Sequence, residues 1–319
     1  MNTPRLNQVY SDLSTRRRYE VWFLKMVMAD RSGAWWFRYL LTNPGRSNGG
    51  GCPDLETHPF QIRATWFPNE GAPISFVEGF PLEGLVLSRP GEPLLLQHGL
   101  NRLTHDSCHG LVTANGRVIE WDLRYRSSAG FALSDVGWIG FSRTPHTDAT
   151  FEGELTVDGV SLFSNPLGYG LQGHNCGFRH RHRWSWAHGF HQHESGGTTT
   201  FEALEYEIGA SLFFRRALLW HFGNLYRLSG FQTKGRDRTG MDWKFNCSDR
   251  RSNVQVEASF DGSGAALFRL PYTKTDCSGV FEVSNNSLAN GQINISLPGN
   301  PEMAIDFNRG SVLELVGGD

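Results

Sequence analysis

Several things are missing from this chain of 319 residues, and each absence narrows what it does. No apolar run approaches the roughly 18 residues needed to cross a bilayer as a helix, and MNTPRLNQVYSDLSTRRRYE at the start holds no apolar core of signal-peptide length. A soluble, cytoplasmic protein without a transmembrane segment is expected. Net charge is nearly absent too: 30 basic against 32 acidic side chains leave -2, so no global field draws the chain to nucleic acid or anionic lipid. The five cysteines, Cys52, Cys108, Cys176, Cys247 and Cys277, are odd in number, scattered and without a CxxC pair. That pattern argues against a disulfide framework and a cysteine zinc site, and for a reducing compartment. No internal repeat of about 20 to 50 residues is visible, which argues against a propeller or solenoid.

What is present is glycine, at 37 residues, and aromatic rings, at 13% of the chain, in short apolar runs separated by turn material. That texture reads as all-β. Strands are predicted over Tyr19–Met28, Trp35–Leu41, Phe60–Phe67, Ile74–Phe80, Val118–Arg126 and Phe151–Val157. A second set covers Trp184–Phe190, Phe201–Ile208, Trp243–Cys247, Val254–Phe260, Ala265–Leu270, Gly279–Val283, Ile293–Leu297 and Met303–Phe307. LFFRRALLWH, Leu212–His221, fits either a strand or a helix. Asn115-Gly116 and Asp158-Gly159 predict hairpin turns, because a type I′ turn needs residues that tolerate positive φ. Asn43-Pro44-Gly45 and Asn48-Gly49-Gly50-Gly51 mark further breaks. The length suits two domains of about eight strands each, with a seam near Asn165–Gly177, giving residues 1–170 and 171–319.

The stretch GYGLQGHNCGFRHRHRWSWAHGFHQH, Gly168–His193, concentrates six histidines. Alternate side chains of a strand share a face, which sets His174, His180, His182, Trp184, Trp186 and His188 on one side and Arg179, Arg181, Arg183, Ser185 and Ala187 on the other. The aromatic-imidazole side should face a pocket or core and the cationic, small side water. Upstream of Phe178 the glycines predict an irregular loop. His180, His182, His188, His191 and His193 have spacing for a metal, but three interleaved arginines oppose a cation and no acid or cysteine completes a zinc motif, so no metal and no cofactor are expected. The three arginines form only a small basic stripe, and nucleic acid is not expected. His105, Asp106, Ser107 and Cys108 are sequence neighbours that point to different faces and make no triad.

Two acids sit within apolar alternation: Glu20 with Trp22, Leu24 and Met26, and Glu78 with Ile74, Phe76 and Phe80. A carboxylic acid held among apolar groups resists ionising and can keep a proton to donate, which makes both general-acid candidates.

YEVWFLK at Tyr19–Lys25 resembles the opening FEGWYFK-type motif of the tocopherol cyclase group. GYGLQGHNCG followed by Trp184-Ser185-Trp186 resembles the G-Y-x-x-H-N-W-G … W-x-W signature shared by tocopherol cyclase-like proteins and the carotenoid hydratase, or hydroxyneurosporene synthase, family. GELTVDGVSLF at Gly153–Phe163 sits where that family places a β-hairpin. The resemblance implies two lipocalin-like antiparallel β-barrels packed on each other and a hydrophobic small-molecule ligand, since relatives hydrate or cyclise isoprenoid chains, guide Diels-Alder closures, or bind lipid. It places Glu20, Trp22, Tyr169, His174, Asn175, Trp184 and Trp186 in or beside the ligand site. Cys176 stands where the signature has tryptophan.

The expected function is therefore a cyclase or hydratase acting on a polyene, prenylated or polyketide-like molecule. His174, Glu20 or Glu78 would supply a proton and Trp22, Trp184 and Trp186 would stabilise a carbocation by cation–π attraction. A pericyclic variant needs only a shaped cavity and a hydrogen bond, from Asn175, Tyr169 or His188. The alternative is a non-catalytic carrier of a lipid or pigment built on the same barrel.

Overall fold

The computed structural model describes residues 3–11, 18–43, 58–136, 140–209, 212–275 and 278–317. Apart from a 3-10 helix at Thr3–Asn7, its regular structure is β. The first thirteen strands are β1 (Arg18–Met28), β2 (Gly33–Asn43), β3 (Phe60–Pro68), β4 (Ile74–Phe80), β5 (Val86–Leu87), β6 (Leu95–His98), β7 (Asn101–Thr104), β8 (Ser107–Ala114), β9 (Arg117–Arg126), β10 (Phe131–Asp135), β11 (Gly140–Val157), β12 (Val160–Leu162) and β13 (Gly168–Gly177). They form one sheet in the order β4-β3-β2-β1-β13-β11-β9-β8-β7-β6-β5, with β10 and β12 both paired to β11. The remaining strands are β14 (Trp184–Gln192), β15 (Thr198–Gly209), β16 (Leu212–His221), β17 (Asn224–Leu228), β18 (Gly230–Asp237), β19 (Asp242–Asp249), β20 (Val254–Asp261), β21 (Phe268–Thr273), β22 (Val280–Ser296), β23 (Met303–Asp306) and β24 (Ser311–Val316). Their order is β17-β16-β15-β14-β24-β22-β20-β19-β18, with β21 and β23 both paired to β22.

Both sheets are antiparallel and curl into barrels, each wrapped around its own core. One compact unit comprises Met1–Trp66, Ile74–His180 and Thr273–Val280, the other Phe67–Pro73, Arg181–Tyr272 and Phe281–Asp319. The seam expected at residue 170 falls inside β13, all ten residues of which register against β1, so that strand lies wholly in the first unit.

The first core follows strict alternation. Trp22, Leu24, Met26 and Met28 of β1 face Phe37 and Tyr39 of β2, Ile62 of β3 and Trp121 and Leu123 of β9. Trp121 Nε1 donates to Tyr39 Oη at 2.9 Å, and that hydroxyl donates to the His109 carbonyl at 2.8 Å, so both of these polar-tipped rings are satisfied inside the barrel. Gly110 makes the room: a Cβ there would lie 2.0 Å from the Trp121 ring. In the second barrel Phe245, Phe260 and Phe307 stack in a file, with Phe201 beside it.

Both predicted hairpins are present, with φ of 54° and 74° at Asn115-Gly116 and 53° and 78° at Asp158-Gly159. The second joins β11 to β12, the hairpin of the GELTVDGVSLF segment. Leu212–His221 is a strand, paired with β15 over its length. Cys108, Cys176 and Cys247 are free and buried. Cys52, Cys277 and most of the Asn43–Gly51 turn material lie outside the described residues. Among the described residues no helix is long and apolar enough to cross a membrane.

Two expectations are corrected. Gly168–Gly177 is a regular strand and not a loop. Its glycines answer to close packing: a Cβ on Gly170 would lie 1.8 Å from the Lys25 carbonyl oxygen, and one on Gly173 would lie 2.2 Å from the Phe23 ring. The second correction concerns β14, whose small residues face the barrel core while its tryptophans and His188 face away from it. Ala187 belongs to the core cluster, and a Cβ on Gly189 would meet the Phe307 ring at 2.4 Å. Partner strands fill that interior with phenyl rings, so β14 has to contribute little volume. Arg179, Arg181 and Arg183 lie in the link between β13 and β14 rather than on a strand face. Arg181 covers the Tyr206 ring at 5.0 Å and Arg183 the Phe213 ring at 5.8 Å.

Candidate functional site

Antiparallel register between β1 and β13 sets Glu20 opposite Cys176 and Trp22 opposite His174, all on the barrel's inner face. Glu20 and His174 are fully buried, and His174 Nε2 lies 2.8 Å from Glu20 Oε1. Trp22 stacks on the imidazole at 4.7 Å and Phe141 meets it edge-on at 4.8 Å. Two sequence-nominated acid groups are thus one hydrogen-bonded pair.

Every polar atom of that pair is engaged. The Leu6 carbonyl, which can only accept, lies 3.0 Å from His174 Nδ1, so that nitrogen carries a hydrogen. Backbone N–H groups of Tyr10 and Ser11 donate to Glu20 Oε1 and Oε2 at 2.8 and 2.6 Å. One proton remains to be shared between Nε2 and Oε1. Asn7 and Gln172 exchange side-chain amide bonds at 2.9 and 3.2 Å beside it. The first barrel is therefore plugged by its own segment Leu6–Ser11, with Val9 buried in the core. At Cys176, the signature's tryptophan position, the thiol accepts from Arg18 Nη1 at 3.4 Å, and burial with the nearby Glu20 pushes its pKa up to about 12.

Glu78 stands apart. It is half-buried on β4, and its Oε2 accepts the Thr113 backbone N–H of β8 at 2.8 Å, a link that helps close the barrel. Tyr169 and Asn175 lie on the β13 face opposite His174, half-buried, and the Asn175 Oδ1 has no hydrogen-bond partner among the described residues. Lys25 of the YEVWFLK motif occupies the corresponding face of β1, fully buried, and burial followed by the charge of Arg31 pushes its pKa down to about 7.

The second unit gathers Trp184, Trp186 and His188 on one face of β14. Register places His188 beside Glu202 of β15 and Trp186 beside Glu314 of β24, and such neighbours lie about 4.5–5.5 Å apart. Trp186 Nε1 donates to Glu202 Oε1 at 2.7 Å, and Trp184 Nε1 to Glu314 Oε1 at 2.7 Å. Asn285 donates to the other Glu314 oxygen at 3.2 Å and is itself held by Ser287. Trp186, His188 and Glu202 are all at least nine-tenths buried. Glu202 and Glu314 were not singled out from the sequence, although each is an acid inside an apolar strand, the same signal that singled out Glu20.

The histidines of the stretch disperse. His180 stacks on Tyr19 at 4.1 Å, and burial pushes its pKa down to about 3. His193 sits against Thr199, whose hydroxyl also meets His221 at 2.7 Å. Among the described residues no three histidine, cysteine or acidic side chains converge as metal ligands.

The sequence matches no protein-family description and no curated protein. Solved structures share the fold. CghA matches with a TM-score of 0.63 at 13% identity over 100% of this chain and 93% of its own. Kievitone hydratase from Nectria haematococca matches at 0.55 and 13%, over 98% and 94%. An AttH-type protein from Nitrosomonas europaea matches at 0.53 and 11%, over 99% and 97%. The fold is a double lipocalin-like one.

Proposed function

We propose that this protein is a hydratase- or cyclase-type enzyme acting on a hydrophobic polyene, prenylated or polyketide-like small molecule. The likeness in fold to a kievitone hydratase and to CghA supports the class. The observation that carries the site is the pair of acids on β15 and β24, Glu202 buried and Glu314 half-buried, each gripped by an indole N–H. Such an arrangement sets a proton-transfer group beside aromatic faces. In hydration, an acid proton adds to one alkene carbon, water attacks the carbocation at the other, and the proton that water loses returns to a carboxylate. Trp184 and Trp186 would stabilise the cation, Glu202 and Glu314 would move the proton, and His188 would bond the substrate's polar group. In cyclisation the attacking electrons come from a second double bond of the same substrate. The Glu20–His174 pair, with its polar atoms committed to each other and to Leu6–Ser11, acts in this reading as a clamp.

A carrier on the same fold is the second reading. Denaturing the purified protein, extracting with organic solvent and identifying the apolar molecule by mass spectrometry gives the compound to assay. An enzyme converts it, and Glu202→Gln keeps binding while conversion falls by about 100-fold, the loss typical of a general acid–base group. Binding without conversion in the native protein supports the carrier. Recovery of a stoichiometric metal and no affinity for any apolar compound contradicts both.

A further inference from the structure

The outer face of β18, β19, β20 and β22 carries a polar concavity. Cross-strand register aligns Gln232, Asn246, Glu257 and Asn294 in one continuous row and Gly230, Ser248, Gln255 and Ser296 in the next. The groove between and over these rows encloses about 480 Å³, within the usual range of small-molecule sites. Asp249, Arg250 and Asn253 rim one part of it and Glu302 another.

Two observations separate this face from an ordinary solvated one. Its side chains stand on a floor whose inward neighbours, Cys247, Val254 and Val256, are fixed in the barrel core. At the centre of the first row, the Asn246 Oδ1 is cut off from solvent and has no hydrogen-bond partner among the described residues. A buried acceptor without a partner costs about 1–3 kcal/mol, so a turn of the Asn246 side chain that brings it to a ligand hydroxyl in the groove gains more than an acceptor already hydrated would.

We propose that this groove binds an extended polyhydroxylated chain, an oligosaccharide in chemical class. Each amide side chain and each serine offers both a donor and an acceptor, as vicinal hydroxyls do. Adjacent strands are about 4.8 Å apart, close to the advance per ring of an extended beta-linked glucan, so each strand of the row faces one sugar ring. Three acids, Asp249, Glu257 and Glu302, against the single Arg250 make the groove unfit for a phosphate or another anion. Gly230 leaves the edge row open, since a Cβ there would meet the Ser248 hydroxyl at 2.4 Å.

The test uses cellotetraose as the probe with the full-length protein labelled for NMR. Saturable shifts of the side-chain amide signals of Gln232, Asn246, Gln255 and Asn294 are expected. Asn246→Ala should weaken binding about tenfold, the cost of roughly one or two hydrogen bonds, with no fall in melting temperature. Gln232→Ala, at an exposed edge position, provides the same reading if Asn246→Ala folds poorly. Lys244→Ala, in the row outside the groove, should leave affinity unchanged. No saturable shift with cellotetraose, shifts only with a short peptide, or binding indifferent to both groove substitutions would overturn the assignment. None of these outcomes bears on the acids of β15 and β24.

Discussion

Glu20 in the first unit and Glu202 in the second are both buried mid-strand acids beside a tryptophan and a histidine, yet they are held by different partners. Backbone N–H groups of Tyr10 and Ser11 hold Glu20, with His174 closing the circuit, and those amides belong to the segment that plugs the barrel. An indole N–H holds Glu202. In the proposed function this difference separates a clamp from a site. Main-chain donors bring their own chain with them and seal the acid, whereas an indole edge leaves a π-face next to the acid on which an apolar substrate can lie. Glu205 gives a third case: inside the second barrel it accepts from Arg215 Nε at 2.5 Å and pairs with Arg236, two cations that do not release a proton under ordinary conditions.

The comparison breaks most visibly at Glu20. Glu20→Ala strands two backbone N–H groups and an imidazole in a dry interior, an expected loss of about 3–5 kcal/mol. Hydrogen exchange at Tyr10 and Ser11 should accelerate with it; protection unchanged at those amides would show that the acid is not what pins the segment. Glu205→Ala leaves Arg236 without its carboxylate, while Arg215 is 40% exposed and reaches water. The expected loss is therefore smaller, about 2–3 kcal/mol by denaturant unfolding, and a neutral outcome would place Glu205 among dispensable surface pairs.

Acid sharpens the contrast between the units. His146 of the first unit donates from Nε2 to the His105 carbonyl and meets the Ser127 hydroxyl at Nδ1, and burial pushes its pKa down to about 4. A depressed folded-state pKa means the unfolded chain binds the proton more readily. The stability contributed by neutral His146 is thus complete above pH 6.5 and falls as pH drops toward 4. A loss on the order of 2 kcal/mol is expected across that window, and His146→Gln should flatten the slope; an identical slope in the variant would remove His146 as its source. The smallest effect is expected at Glu78→Gln, which keeps an acceptor for the Thr113 N–H and should cost under about 0.5 kcal/mol. A larger loss, read from the melting temperature, would mean that the charge itself matters there.

Alternation made much of the fold and part of the site legible in the sequence. It put Glu20, Trp22, Leu24 and Met26 on one face, and the structure finds them on the inner face of β1. It failed where packing reverses the usual meaning of a residue. Glycines in β13 read as loop because their close neighbours, Phe23 and the Lys25 carbonyl, are 145 or more positions away in sequence and become neighbours only in the sheet. On β14 the aromatic-imidazole side is buried as read, but the small side is buried too instead of facing water, because small residues are the ones that fit where partner strands have already filled the core. Strands such as Ser107–Ala114 escaped because Gly110 interrupts their apolar alternation, and only Trp121 across the barrel explains that glycine. Glu202 and Glu314 needed their tryptophan partners on neighbouring strands before they read as more than ordinary strand acids.

The most direct measurement is side-by-side turnover of the extracted apolar compound by two folded variants, Glu202→Gln and His174→Gln. The account predicts conversion lost by about 100-fold in Glu202→Gln with binding retained, and conversion preserved in His174→Gln at reduced stability. The reverse pattern, with His174→Gln inactive and Glu202→Gln active, would contradict it and make the sealed pair the catalytic one.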